Sequence, residues 1–134
     1  MASSIEELSA YRFERARTEL QNAEDLHDDG KYNLSLNRSY YSIFYAIRAV
    51  NVLDAFDSSR HSGVIAHFNE HYVKTGDFSR ESSKIIKSAY NLREHADYKD
   101  FFLASRQQAE EQVRNAEKFL SNVAVYLKDK GIIG

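Results

Sequence analysis

The run Arg38-Ser-Tyr-Tyr-Ser-Ile-Phe-Tyr-Ala-Ile-Arg-Ala49 constrains this chain more than any other stretch, because its aromatic and apolar side chains go round the whole circumference of a helix. At about 100° per residue, Leu34, Arg38, Tyr41, Tyr45 and Val52 line one face while Leu36, Tyr40, Ile43, Ile47 and Val50 line another. A helix apolar on nearly all sides is expected at the centre of an assembly, covered by other helices or by a second copy of the chain. Arg38 and Arg48 are carried inward with it, and buried guanidinium groups require carboxylate partners.

The remaining segments supply helices to cover that rod. Ser3 to Glu6 and Ser4 to Glu7 both have capping-box spacing, and Phe13, Ala16, Leu20, Ala23 and His27 recur on one face, which predicts a first helix over 5–28, stopped by Gly30. The second is predicted over 32–53. A third, capped by Ser58-Ser59 and running to Lys74, turns Val64, Ile65, Phe68 and Tyr72 inward. A fourth follows Gly76 with Ile85, Ala89, Leu92 and Ala96 as its stripe. The last begins near Ser105, again with a capping-box partner at Gln108, and carries Ala109, Val113, Ala116, Leu120, Val123 and Leu127 to a stop at Gly131. No strand-like alternation of useful length interrupts the pattern. The expected fold is all-α, an antiparallel up-and-down bundle of about five helices forming a single domain over 1–134.

Composition narrows the function classes. The formal charge of −2 confines any nucleic-acid contact to a local cluster, and the absence of cysteine removes disulfides, thiolate nucleophiles and cysteine-ligated zinc. No long apolar run is present, and the start lacks the basic and apolar regions of a signal peptide, so a cytoplasmic protein without membrane contact is expected.

Three ordered pieces carry a family resemblance: Arg38-Ser-Tyr-Tyr-x-x-Phe-Tyr-Ala-x-x-Ala49; His61-Ser-x-Val64 with Phe68 and Val73-Lys-Thr-Gly76; and Leu92-Arg93-x-x-Ala96-Asp97-Tyr98. Across roughly residues 10–127 the chain resembles the HEPN domain (higher eukaryotes and prokaryotes nucleotide-binding), in its short single-domain prokaryotic branch. The resemblance implies a helical bundle, usually a homodimer, often encoded beside a small nucleotidyltransferase. Its members divide between RNA-cleaving toxins and non-catalytic modules that bind nucleotides, RNA or proteins. No cofactor is expected.

The ribonuclease members carry an arginine and, after four to six intervening residues, a histidine, near the helix that here holds Arg93. This chain departs from that pattern. His95 lies two positions beyond Arg93, about 200° around a helix, and cannot converge with it on one phosphate. Asp97 stands where a basic group would serve.

A formal match occurs at Arg60 and His67, separated by six residues and placed on one helix face with about 10 Å of rise between them. These two are the candidate catalytic pair for metal-independent RNA cleavage, in which a 2′-hydroxyl attacks the adjacent phosphate, a histidine moves the proton and a guanidinium stabilises the transition state. The competing reading makes both ordinary solvent-facing residues. His61, at a helix entry, is a candidate ligand residue.

Arg38, Tyr41, Tyr45, Arg48, Arg93 and Asp97 complete the candidate binding set. Tyrosine interleaved with arginine suits a groove where a base stacks and a phosphate is neutralised, and it equally suits a homodimer interface. Internal pairing, Arg93 with Asp97 first, is the alternative. The string His67-Phe-Asn-Glu70-His71 has the order of an inverted zinc-peptidase motif, yet no third ligand follows from the sequence, so no metal centre is expected beyond adventitious binding by the histidines. The leading functional reading is a non-catalytic module that dimerises and binds a nucleotide, RNA or a partner such as a nucleotidyltransferase in a toxin–antitoxin or defence pair. A ribonuclease and a purely structural adaptor are the alternatives.

Overall fold

The computed structural model describes residues 3–134, and among them the regular structure is entirely helical. The elements are α1 (Ser4–Asp28), α2 (Tyr32–Asn51), α3 (His61–Phe68), α4 (Arg80–Tyr98) and α5 (Arg106–Asp129). A short 3-10 turn (Val52–Asp54) ends α2, and a π turn (Asn69–Val73) extends α3.

Local chemistry sets the ends. Of the two capping boxes available at the start, the Ser3–Glu6 one forms, with the Ser3 hydroxyl accepting from the Glu6 N–H and the Glu6 carboxylate accepting from the Ser3 N–H. Ser105 and Gln108 repeat the arrangement at α5. Gly30 ends α1 with φ +77°, a backbone conformation that a side chain would strain. The third helix starts later than its serines suggest. Ser58 accepts from the Arg60 N–H, and helical structure begins only at His61.

The α1–α2 hairpin is held by small residues in a strict register. Ser9, Ala16 and Ala23 recur every seven residues on α1, and Ser35, Ser42 and Ala49 recur every seven on α2, running the opposite way. Each level carries one serine whose hydroxyl donates to the alanine carbonyl across the seam: Ser9 to Ala49 at 2.6 Å, Ser42 to Ala16 at 2.8 Å, and Ser35 to Ala23 at 2.8 Å. All six residues are fully buried. Small side chains let the backbones approach, and the hydroxyls satisfy themselves on carbonyls that would otherwise bound a dry interface.

α2 is the central element, packing against α1, α3, α4 and α5. Leu36, Tyr40, Ile43, Ile47 and Val50 are all buried. Its opposite face is less enclosed than its apolar circumference suggests: Leu34 is 57% exposed, and Tyr41 and Tyr45 are half-buried. Phe68, Phe78 and Phe119 close the core beneath α3, with Tyr72 and Tyr126 packed on them. The α5 seam expected from spacing is buried throughout and is widened by Gln112 and Phe119.

Candidate functional site

α2, the start of α3 and the last turns of α4 meet around Tyr40. Its hydroxyl lies 2.6 Å from Nδ1 of His61, and its ring carries the Arg93 guanidinium at 5.0 Å. His61 stacks on Phe44 with ring centroids 4.2 Å apart. Burial first, and the neighbouring Arg93 charge second, hold the His61 imidazole below its usual range, so it is neutral at neutral pH. Burial raises the Tyr40 phenol, which keeps its proton.

Arg93 is buried, and each of its three nitrogens faces a protein oxygen. One terminal nitrogen donates to the Tyr41 hydroxyl at 2.8 Å, the other lies 3.4 Å from Glu94, and Nε lies 3.2 Å from Asp97 without hydrogen-bond alignment. Asp97 also accepts from Asn37 at 2.9 Å. Arg38 is paired with Glu19, donates to Asn37 and lies over the Tyr41 ring at 5.0 Å. The structure therefore brings Arg38, Tyr41, Arg93 and Asp97 into one network. Two guanidinium groups in it meet three carboxylates, Glu19, Glu94 and Asp97, so it carries no surplus of positive charge.

Arg48 belongs to a different balance. It donates to Asp57 at 2.8 Å, and Arg12 donates to the other oxygen of the same carboxylate at 2.9 Å. The Arg12 hydrogen bond first, and that from Arg48 after burial opposes it, pull Asp57 down to about 2. Two cations share one anion here. Nε of Arg48 and one terminal nitrogen of Arg12 are buried with no protein acceptor. Arg48 also lies 6.0 Å from the Phe44 ring on which His61 stacks. Tyr45 points elsewhere, accepting from Arg15 at 3.1 Å beneath its guanidinium.

Arg60 and His67 are not gathered into a pair. Arg60 is exposed at the entry to α3, whereas His67 is packed between Phe56 and His71 with Nε2 at 3.2 Å from Asp54. His95 faces Phe102, away from this network. Asp54, His67 and His71 each offer a ligand atom within 4.8 Å of the other two. Sequence reasoning passes over Tyr40, Phe44 and the partners Glu19, Asp54 and Asp57. Tyr40 and Phe44 read as core from their spacing, and carboxylates remote in the chain give no local signal of the arginine they meet.

Comparison with known proteins agrees with this architecture. The HEPN domain family profile matches residues 9–126. A Methanocaldococcus jannaschii protein named "Putative toxin MJ0142" is 31% identical over 120 residues, covering 90% of this chain and 82% of its own. A Thermotoga maritima "UPF0332 protein" is 31% identical over 124 residues, 92% of this chain and 94% of its own. Among solved structures, TT1696 from Thermus thermophilus superposes with a TM-score of 0.73 at 19% identity, over 87% of this chain and 95% of that one, a likeness of fold.

Proposed function

This chain belongs to the HEPN domain family, and we propose that within it the protein is a non-catalytic, single-domain module that binds a phosphate-bearing ligand, a nucleotide or RNA, beside His61 and Arg48. The observation that carries this reading is the shared carboxylate: Arg12 and Arg48 both pair with Asp57, leaving one uncompensated positive charge and buried guanidinium donors next to an aromatic surface. A phosphate at the accessible edge of the Arg48 guanidinium balances that charge, and a base stacks on the His61–Phe44 pair.

The non-catalytic part of the reading rests on Arg93 and the histidines. Its guanidinium is surrounded by Tyr41, Glu94 and Asp97, His95 is turned to Phe102, and His67 is engaged with Asp54. Neither the Arg93–His95 pair nor the Arg60–His67 pair faces one open phosphate position. Names of relatives that carry the word toxin support a place in a toxin–antitoxin pair. A homodimer fits the exposed Tyr98 at the end of α4 with Phe101 and Leu103 beyond it, and a nucleotidyltransferase fits as the partner in a cytoplasmic complex.

A second reading has one observation in its favour. A neutral His61 held by Tyr40 is suited to moving a proton, as a metal-independent ribonuclease requires.

The test is titration of the purified chain with ATP and with single-stranded RNA at low and raised salt, followed by melting temperature. Stabilisation that falls with salt and is lost in Arg48→Gln is expected. RNA cleavage in EDTA that disappears in His61→Ala would transfer the assignment to the ribonuclease. A tight dimer indifferent to both ligands would transfer it to an adaptor.

A further inference from the structure

We propose that Asp54, His67 and His71 form a binding site for a divalent transition-metal ion of the zinc, nickel or copper kind. The site joins two pieces of backbone: Asp54 ends the 3-10 turn after α2, while His67 in the last turn of α3 and His71 in the π turn stand four residues apart on one continuous helical stretch. Their ligand atoms all fall within 4.8 Å of one another.

The donor set matches the chemistry. Two imidazoles and one carboxylate are the ligands that borderline divalent ions prefer, and three protein ligands leave a further position for water. With metal–ligand bonds of about 2.0–2.2 Å and tetrahedral angles, two donors of a zinc site stand about 3.3 Å apart. Nε2 of His67 and Oδ2 of Asp54 are already 3.2 Å apart. His71 needs the larger movement, and it is exposed and free to make it.

The surroundings hold Asp54 and His67 in place before any ion arrives. The same Asp54 oxygen accepts a 2.6 Å hydrogen bond from the hydroxyl of buried Tyr72, which fixes the carboxylate as outer partners do in metal centres. Phe56 stacks on the outer face of His67 at 3.9 Å and 10°, and His71 stacks on the other at 4.2 Å. The π turn shifts the helical register where His71 emerges, a distortion common at functional positions. Bound metal would clip the end of α2 to the end of α3.

Zinc chloride titrated into tag-free protein against a chromophoric chelator measures this directly, with melting temperature as the second readout. One zinc per chain is expected, with a raised melting temperature. His71→Ala and Asp54→Asn should each weaken binding at least tenfold, and Tyr72→Phe should weaken it while keeping all three ligands. His71 is exposed, so its variant keeps the fold, and circular dichroism checks Asp54→Asn. Anomalous scattering from crystals grown with zinc locates the ion among these three residues. Absence of saturable binding at millimolar zinc, or binding that Asp54→Asn leaves unchanged, overturns the site, the second result reducing it to a surface histidine pair.

Discussion

Tyr40 and His61 share a 2.6 Å hydrogen bond across the junction of α2 and α3, and this bond commits Nδ1 of the imidazole to a phenol that burial keeps protonated. Because the folded protein holds His61 below the ordinary histidine value, the unfolded chain binds its proton more readily. The stability this supplies is complete above about pH 6.5 and is lost as pH falls through the lowered folded value. His61→Phe keeps the stack on Phe44 and removes the titration. Melting temperatures between about pH 7.5 and 5 should therefore fall less steeply in the variant than in the native chain. Parallel curves would show that His61 does not carry the effect.

Arg93 should prove structural before anything else. Removing it leaves the Tyr41 hydroxyl and Asp97 without their cation and opens space beside Tyr40. We expect Arg93→Ala to cost about 2–4 kcal/mol in urea unfolding, and Arg93→Lys to recover only part, since an ammonium cannot face three oxygens in one plane. A loss below about 0.5 kcal/mol would mean that solvent replaces these contacts.

Asp57 binds two arginines, one of them buried, so Asp57→Asn leaves Arg12 without a charged partner. A loss of about 1–2 kcal/mol at neutral pH is expected. With its folded pKa near 2, the carboxylate contributes fully above the ordinary aspartate value near 4 and loses that contribution as acid carries the pH down to about 2. Native protein should lose stability faster than Asp57→Asn through that window, read from denaturation midpoints at each pH.

The serine–alanine seam makes a graded prediction. Ser42→Ala removes one interhelical hydrogen bond and should cost about 1 kcal/mol. Ser42→Val adds bulk where α1 and α2 touch and should cost more, about 2–3 kcal/mol, despite valine's greater hydrophobicity. Equal stability of the two variants would show the seam to be looser than the 2.8 Å contact indicates.

The helices are legible wherever one residue type answers one local need. Ser105 with Gln108 marks α5, Gly30 marks the end of α1, and the Ala109 to Leu127 series marks a buried face. The third helix begins later than expected because Ser58 caps the turn before it and the helix itself has no side-chain cap. The pairing of Arg93 with Asp97 is readable from four-residue spacing, while Arg38 with Glu19 and Arg48 with Asp57 are not, since nothing local ties an arginine to a carboxylate on another element. The third ligand beside His67 and His71 is hidden for the same reason: Asp54 is thirteen residues earlier than His67 and arrives only through the turn that ends α2.

The heptad-spaced rungs between α1 and α2 also bear on how this molecule can move. Sliding one helix along the other by a single residue would break all three hydroxyl–carbonyl contacts together and push larger side chains into a gap sized for alanine. The hairpin should therefore behave as a rigid chassis carrying Arg12, Tyr40 and Arg48. Any breathing that admits a guest beside His61 then falls to the short α3 segment and its flanking turns.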